Sequence, residues 1–169
     1  MSSVNIHDVF LPIYIRALQN TAHILAKGTA YTTANSIPEA EVLNWRLAPD
    51  MNPLLFQVRN ICAIAKNLIV IVAGTPVPAT DADSEPSFAE LQARLTSTIA
   101  LLQNTTREQF EGRDQASVEV HALGSRMMGI EYVREFGLPN FYFHNSMVYA
   151  LFRGHGASIG KWDYLKGGN

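Results

Sequence analysis

The sequence predicts an all-α fold: an antiparallel four-helix bundle with one long crossover connection and a small β-hairpin before the last helix. Three observations carry it. Four stretches repeat apolar residues at about 3.6-residue spacing. The segments between them are punctuated by Gly, Pro, Asp and Ser. One short stretch ahead of the last helical pattern alternates apolar and polar residues as a strand does. With 169 residues, 47% of them hydrophobic, the chain can bury one substantial core, and residues 1–169 read as one domain.

The first helix is predicted from His7 to Lys27, with Phe10, Ile13, Ala17, Thr21 and Ile24 inward and Arg16, Gln19, His23 and Lys27 outward. Gly28 is read as its stop, and Pro12 as tolerated near the first turn. A short helical turn follows at Pro38 to Asn44, then an irregular stretch from Trp45 to Asn52. The second helix is predicted from Pro53 to Ala73, ending at Gly74, with Leu54, Val58, Ile61, Ala65, Leu68 and Val72 inward and Gln57 at the edge of that arc. Arg59 and Lys66 are placed on its outer face, read as a solvated or interface face. Residues 75–86 read as an exposed loop. The third helix opens on Ser87-Phe-Ala-Glu90, a capping box preceded by Pro86. Val118 and Val120 alternate with polar residues up to Gly124-Ser125, which predicts the hairpin. The fourth helix runs from Gly129 to Arg153, and Pro139 should bend it.

Composition excludes several classes. A net charge of −2 with thirteen scattered Lys and Arg leaves no basic footprint for nucleic acid. The apolar run Asn67 to Gly74 is far shorter than the roughly 20 residues of a membrane span. No basic segment followed by an apolar stretch opens the chain, so no secretory signal is expected. A single cysteine, Cys62, inside an apolar run reads as a small core residue, and a cytoplasmic, reducing compartment is expected.

On the fourth helix, at about 100° per residue, Val133, Phe136, Asn140, Phe143, His144, Met147 and Leu151 share one stripe. Asn140 and His144 are therefore expected to point inward, where unpaired burial would cost roughly 1–3 kcal/mol each. Such a pair needs polar partners or a ligand.

The segments Arg46-Leu-Ala-Pro-Asp-Met51, Gln57 with Lys66, Phe88-Ala-Glu-Leu-Gln-Ala-Arg94, Leu138-Pro-Asn-Phe-Tyr-Phe-His144 and Gly160-Lys-Trp-Asp-Tyr-Leu165 occur in an order that resembles an uncharacterised domain-of-unknown-function family of the DinB/YfiT-like superfamily. The resemblance implies a DinB-like four-helix bundle, a homodimer, and a pocket at one end. It also implies where a metal would sit, since many such relatives bind a divalent ion through three histidines, and some act as thiol-dependent transferases or isomerases. His144 resembles the second histidine of the helix-four pair, Asn140 stands for the first, and Gln57 lies close to the helix-two ligand. Neutral amides are weak ligands for zinc or nickel. A divalent metal is therefore disfavoured, with His144 the one candidate ligand, and no cofactor is expected.

The leading functional reading is a small-molecule enzyme of non-redox type, an isomerase, cyclase or lyase, with an apolar natural-product substrate among the candidates. His144 is its acid/base and Tyr149 a second proton donor. Asn140 and Gln57 position the substrate, and Phe136, Met147 and Ile61 wall it in. Arg46 and Asp50 read either as an ion pair fixing their loop or as polar groups at the pocket mouth. His121 either faces solvent or lids the pocket. Lys161 and Asp163 read as a pair docking the C-terminal segment, and Trp45 and Trp162 as core-edge or dimer-contact aromatics. No flavin, nicotinamide or nucleotide fingerprint occurs. Two other readings stand beside it: a non-catalytic binding or stress-associated bundle in which Gln57, Asn140 and His144 close a polar network, and a DinB-like metalloprotein with a degenerate site.

Overall fold

The computed structural model describes residues 5–77 and 87–168. The expected loop at 75–86 and Pro86 fall largely outside the described residues. Helix α1 spans Ile6–Ala34, and its N-terminus is capped by the Asn5 side chain, which accepts from His7 N at 3.0 Å. It does not stop at Gly28. A Cβ there would lie 2.3 Å from the Phe152 ring, so this glycine marks a close helix crossing inside α1. Pro12 lies in the second turn, on the exposed side, where it forgoes the bond to the Asp8 carbonyl.

A short α2, Glu39–Leu43, matches the expected turn, and its Glu39 carboxylate accepts from Phe88 N at the start of a later helix. Helix α3, Leu54–Asn67, continues as a widened π-type turn over Leu68–Ala73 and ends at Gly74, whose φ of 70° is left-handed. All six residues expected inward on it are buried. By length and composition Leu54–Ala73 is apolar enough to cross a membrane, but half of that window is buried inside the protein. It is the central core helix.

Helix α4, Phe88–Gln103, starts where the Ser87 hydroxyl accepts from Glu90 N at 3.1 Å. The other half of the capping box is not made. Glu90 instead reaches Arg59 on α3 and Arg94 on α4, each at 3.5 Å, so Arg59 spans two helices and is not on a solvated face. A 3₁₀ turn, Arg107–Phe110, leads to β1, Ser117–Val120, which pairs antiparallel with β2, Ser125–Met128. Val118 and Val120 are buried as the alternation predicts.

The last helical stretch runs without a gap from Gly129 to Gly154, as expected, but its geometry is not uniform. It consists of α5, Gly129–Glu131, a π-type segment over Tyr132–Gly137, and α6, Leu138–Gly154. A widened turn inserts backbone and rotates everything after it. The buried residues of α6 are therefore Phe141, Asn145, Val148, Leu151 and Phe152, and Phe143, expected inward, is 52% exposed. Pro139 directly follows the widened segment, inside the helical stretch, where it cannot donate to the preceding turn. Helix α7, Lys161–Lys166, lies on α1. The long helices touch in a closed cycle, α1 to α4, α4 to α3, α3 to α6 and α6 to α1.

Candidate functional site

His144 faces α3, and its surroundings are built by a chain of three groups. The Gln57 amide N–H donates to the Asn52 backbone carbonyl at 2.8 Å, and Gln57 Oε1 lies 2.7 Å from His144 Nδ1. A backbone carbonyl can only accept, so the Gln57 amide must present its nitrogen to Asn52 and its oxygen to the ring. That oxygen can only accept as well. Nδ1 is thereby the protonated nitrogen, and Nε2 carries the lone pair. Gln57 is 2% exposed, which keeps water from competing for either bond. Burial also holds the His144 pKa below the ordinary imidazole value. The ring is neutral near pH 7 and carries one basic nitrogen with no hydrogen-bond partner among the described residues; the Phe56 and Phe143 rings lie steeply inclined to it at centroid distances of 5.8 and 5.1 Å.

The other expected site residues are dispersed. Asn140 takes no part in the Asn52–Gln57–His144 chain, although it stands one turn before His144 on α6. Tyr149 turns to the α7 side, edge-on to Tyr164 at 5.7 Å. Arg46 donates to the Met51 carbonyl, and Asp50 is exposed, so the two form no ion pair. His121 is exposed and lies 3.3 Å from Glu119, which places it in solvent and off the bundle. Phe136 packs on Tyr132 in the widened segment, Met147 is half-buried, and Ile61 is fully buried in the core one turn beyond Gln57. Cys62 is buried, which pushes its thiol up to about 11, the behaviour of a core residue.

The expected Lys161–Asp163 pair is also replaced. Asp163 accepts from Gly160 N at 2.7 Å, from Lys27 Nζ at 2.9 Å and from His23 Nε2 at 2.8 Å, while Lys161 is exposed. These donors hold its carboxyl well below the usual range, the Gly160 N–H most of all. Trp45 is buried and stacked on His155 at 3.7 Å; Trp162 is exposed under Lys166.

Two adjoining open cavities share Arg16, Asn20 and Leu165: one of about 550 Å³ between α1 and the end of α7, and one of about 320 Å³ where α1, α6 and α7 meet. The predicted stripe does not reach this side of α6. Its deepest polar group is Asn145, 2% exposed, whose side-chain amide meets the Thr21 hydroxyl. The signal that could have found it is the pairing of Thr21, inward on α1, with an asparagine on the face that a widened turn would rotate inward.

The three-histidine metal centre implied by the DinB-like resemblance does not fit these donors. Among the described residues no three His, Cys, Asp or Glu side chains stand together as a ligand set. The Gln57 oxygen, the neighbouring donor, is occupied by His144 Nδ1–H. Gln57 thus supports the imidazole from behind and does not share a ligand with it.

Comparison with known proteins agrees with this architecture. A family model described as "Domain of unknown function (DUF1993)" matches residues 6–165. The crystal structure of a DinB family member protein from Shewanella denitrificans superposes with a TM-score of 0.87 at 29% identity, covering 95% of this chain and 91% of that one. No curated protein matches the chain.

Proposed function

The chain belongs to the DUF1993 family of DinB-like domains, and from that premise we propose that it is a small-molecule enzyme of non-redox type in which His144 Nε2 is the general base. One observation carries the reading: the Asn52–Gln57–His144 chain leaves a single tautomer, with the lone pair on Nε2. A base needs its free lone pair at the working pH, and a burial-lowered imidazole supplies it. Abstraction of a proton by Nε2 and its return elsewhere would serve isomerisation, cyclisation or elimination without an electron carrier. Phe56 and Phe143 would supply apolar contact for the substrate. The same proposal takes the four-helix cycle as an antiparallel bundle with a long crossover and a homodimer as the assembly. It assigns the cytoplasm as the compartment and includes no organic cofactor, nucleic acid or membrane.

A metabolite extract incubated in D2O with wild type and with His144→Ala tests this. The expected result is at least one metabolite that gains carbon-bound deuterium with wild type only, as read by mass spectrometry, with the variant folded by circular dichroism. Identical extracts would remove the enzymatic reading. A second reading, a non-catalytic polar network, is favoured by one observation: neither cavity beside α1 is lined by His144.

A further inference from the structure

We propose that the groove where α1, α6 and α7 meet binds a small organic anion with an apolar body, its acidic head on Arg16 and Lys166 and its body against Ile13, Ala17 and Tyr142. This site is separate from the His144 proposal and does not rest on it, because Asn145, the next residue round α6, faces α1 where His144 faces α3.

Charge is the first argument. Arg16 lines both cavities and Lys166 the larger, and no Asp or Glu lines either. Among the described residues Arg16 has no hydrogen-bond or ion-pair partner, and Lys166 has only the Trp162 ring, 5.5 Å away. The carboxylate of α7, Asp163, is already used by Gly160 N, Lys27 and His23. The positive charge at the groove is therefore uncompensated, and a planar guanidinium is suited to a carboxylate or a phosphate.

The polar floor is the second. Asn145 is 2% exposed and lines the smaller cavity. The Thr21 hydroxyl gives its one proton to the Ala17 carbonyl at 2.8 Å and so accepts from the Asn145 amide N–H, which fixes the Asn145 side chain at the floor of the cavity. Asn20, 7% exposed, is held in place by donation to the Tyr164 carbonyl at 2.9 Å, and the Tyr164 hydroxyl is fixed by Ser146 at 3.0 Å. The floor is thus rigid and polar.

Shape is the third argument. Beside Arg16 the smaller cavity is walled by Pro12, Ile13, Ala17 and the two tyrosine rings, an apolar surface that a bare inorganic ion would leave unused. Both volumes fall in the range of small-molecule sites. An acid with an aromatic or alkyl body satisfies the cations and the wall together.

NMR titration of the full chain with 3-phenylpropionate, phenyl phosphate, the neutral 3-phenylpropanamide and inorganic phosphate tests the assignment. The expected result is saturable shifts at Arg16, Asn20, Asn145 and Tyr164 with at least one organic acid. The neutral amide and inorganic phosphate should each bind at least about tenfold more weakly than the better acid. A preference for phenyl phosphate identifies a phosphate monoester head, and a preference for 3-phenylpropionate a carboxylate; either supports the site. Arg16→Gln and Lys166→Gln, both on exposed positions, should fold normally and weaken binding by roughly tenfold and severalfold respectively. His144→Ala should bind as wild type does. Absence of saturable shifts up to about 10 mM probe would overturn the proposal. So would equal binding of the neutral amide or of inorganic phosphate, unchanged binding in Arg16→Gln, or loss of binding in His144→Ala.

Discussion

At Gln57 a carboxamide stands between a carbonyl that only accepts and a ring nitrogen that can do either, and the carbonyl decides. The prediction is direct. In wild type, long-range ¹H–¹⁵N spectra should show His144 protonated at Nδ1 and bare at Nε2 above its pKa. Gln57→Leu removes the acceptor, so the ring should populate both tautomers, and unfolding should become easier by about 1–3 kcal/mol because the Asn52 carbonyl loses its partner. An unchanged His144 spectrum in Gln57→Leu would refute the tautomer assignment. Gln57 and His144 were both legible as candidates from spacing and resemblance. Their direct bond appeared only within one alternative, the closed Gln57–Asn140–His144 network, because residues 87 positions apart meet only when α3 and α6 pack. Asn140 shows the opposite case: its i, i+4 relation to His144 is local and correct, yet it joins no network with that residue.

The elements that were read correctly are those with a local physical cause. Ser87 begins α4, Gly74 ends the α3 stretch with a positive φ, and the Val118–Val120 alternation makes β1. The errors arise where a neighbour overrides the local signal. Gly28 looks like a stop because glycine weakens helices, but Phe152 requires it to lack a side chain while α1 continues. Gly28→Ala discriminates between these roles. If the glycine merely weakened the helix, alanine would stabilise the protein by about 1 kcal/mol. The Phe152 contact predicts instead a destabilisation of about 1–3 kcal/mol, read as a lower denaturation midpoint by circular dichroism. The π-type segment at Tyr132–Gly137 is the other override: Pro139 announces a disturbance, but neither its sense nor its size is encoded in one proline.

Across the whole molecule, Asp163 fastens the C-terminal α7 to α1 through Lys27 and His23 and caps its own helix through Gly160 N. Its folded pKa is depressed, so the carboxylate form is favoured by folding. The associated stability is fully present above the unfolded value of about 3.9 and is lost as pH falls through the folded value. Asp163→Asn should therefore destabilise the protein by about 1–3 kcal/mol at pH 7. The gap to wild type should close as pH is lowered below about 4. Denaturant unfolding at several pH values measures it, and a pH-independent gap would contradict the assignment. The same substitution should loosen α7, which forms one wall of the anion groove through Tyr164 and Leu165.

By itself the sequence determined the helical class, the four long helices, the hairpin, the buried face of α3 and the pairing of Gln57 with His144 as candidates, because period, caps and turn residues act over a few positions of chain. The tertiary structure alone decided which way α6 faces, that Asn145 and not Asn140 is the deep amide, that Gly28 is a crossing point, and that Arg16 and Lys166 meet across a groove. Those outcomes depend on rotation about a helix axis and on contacts between distant segments, and no local pattern carries the phase that one widened turn adds.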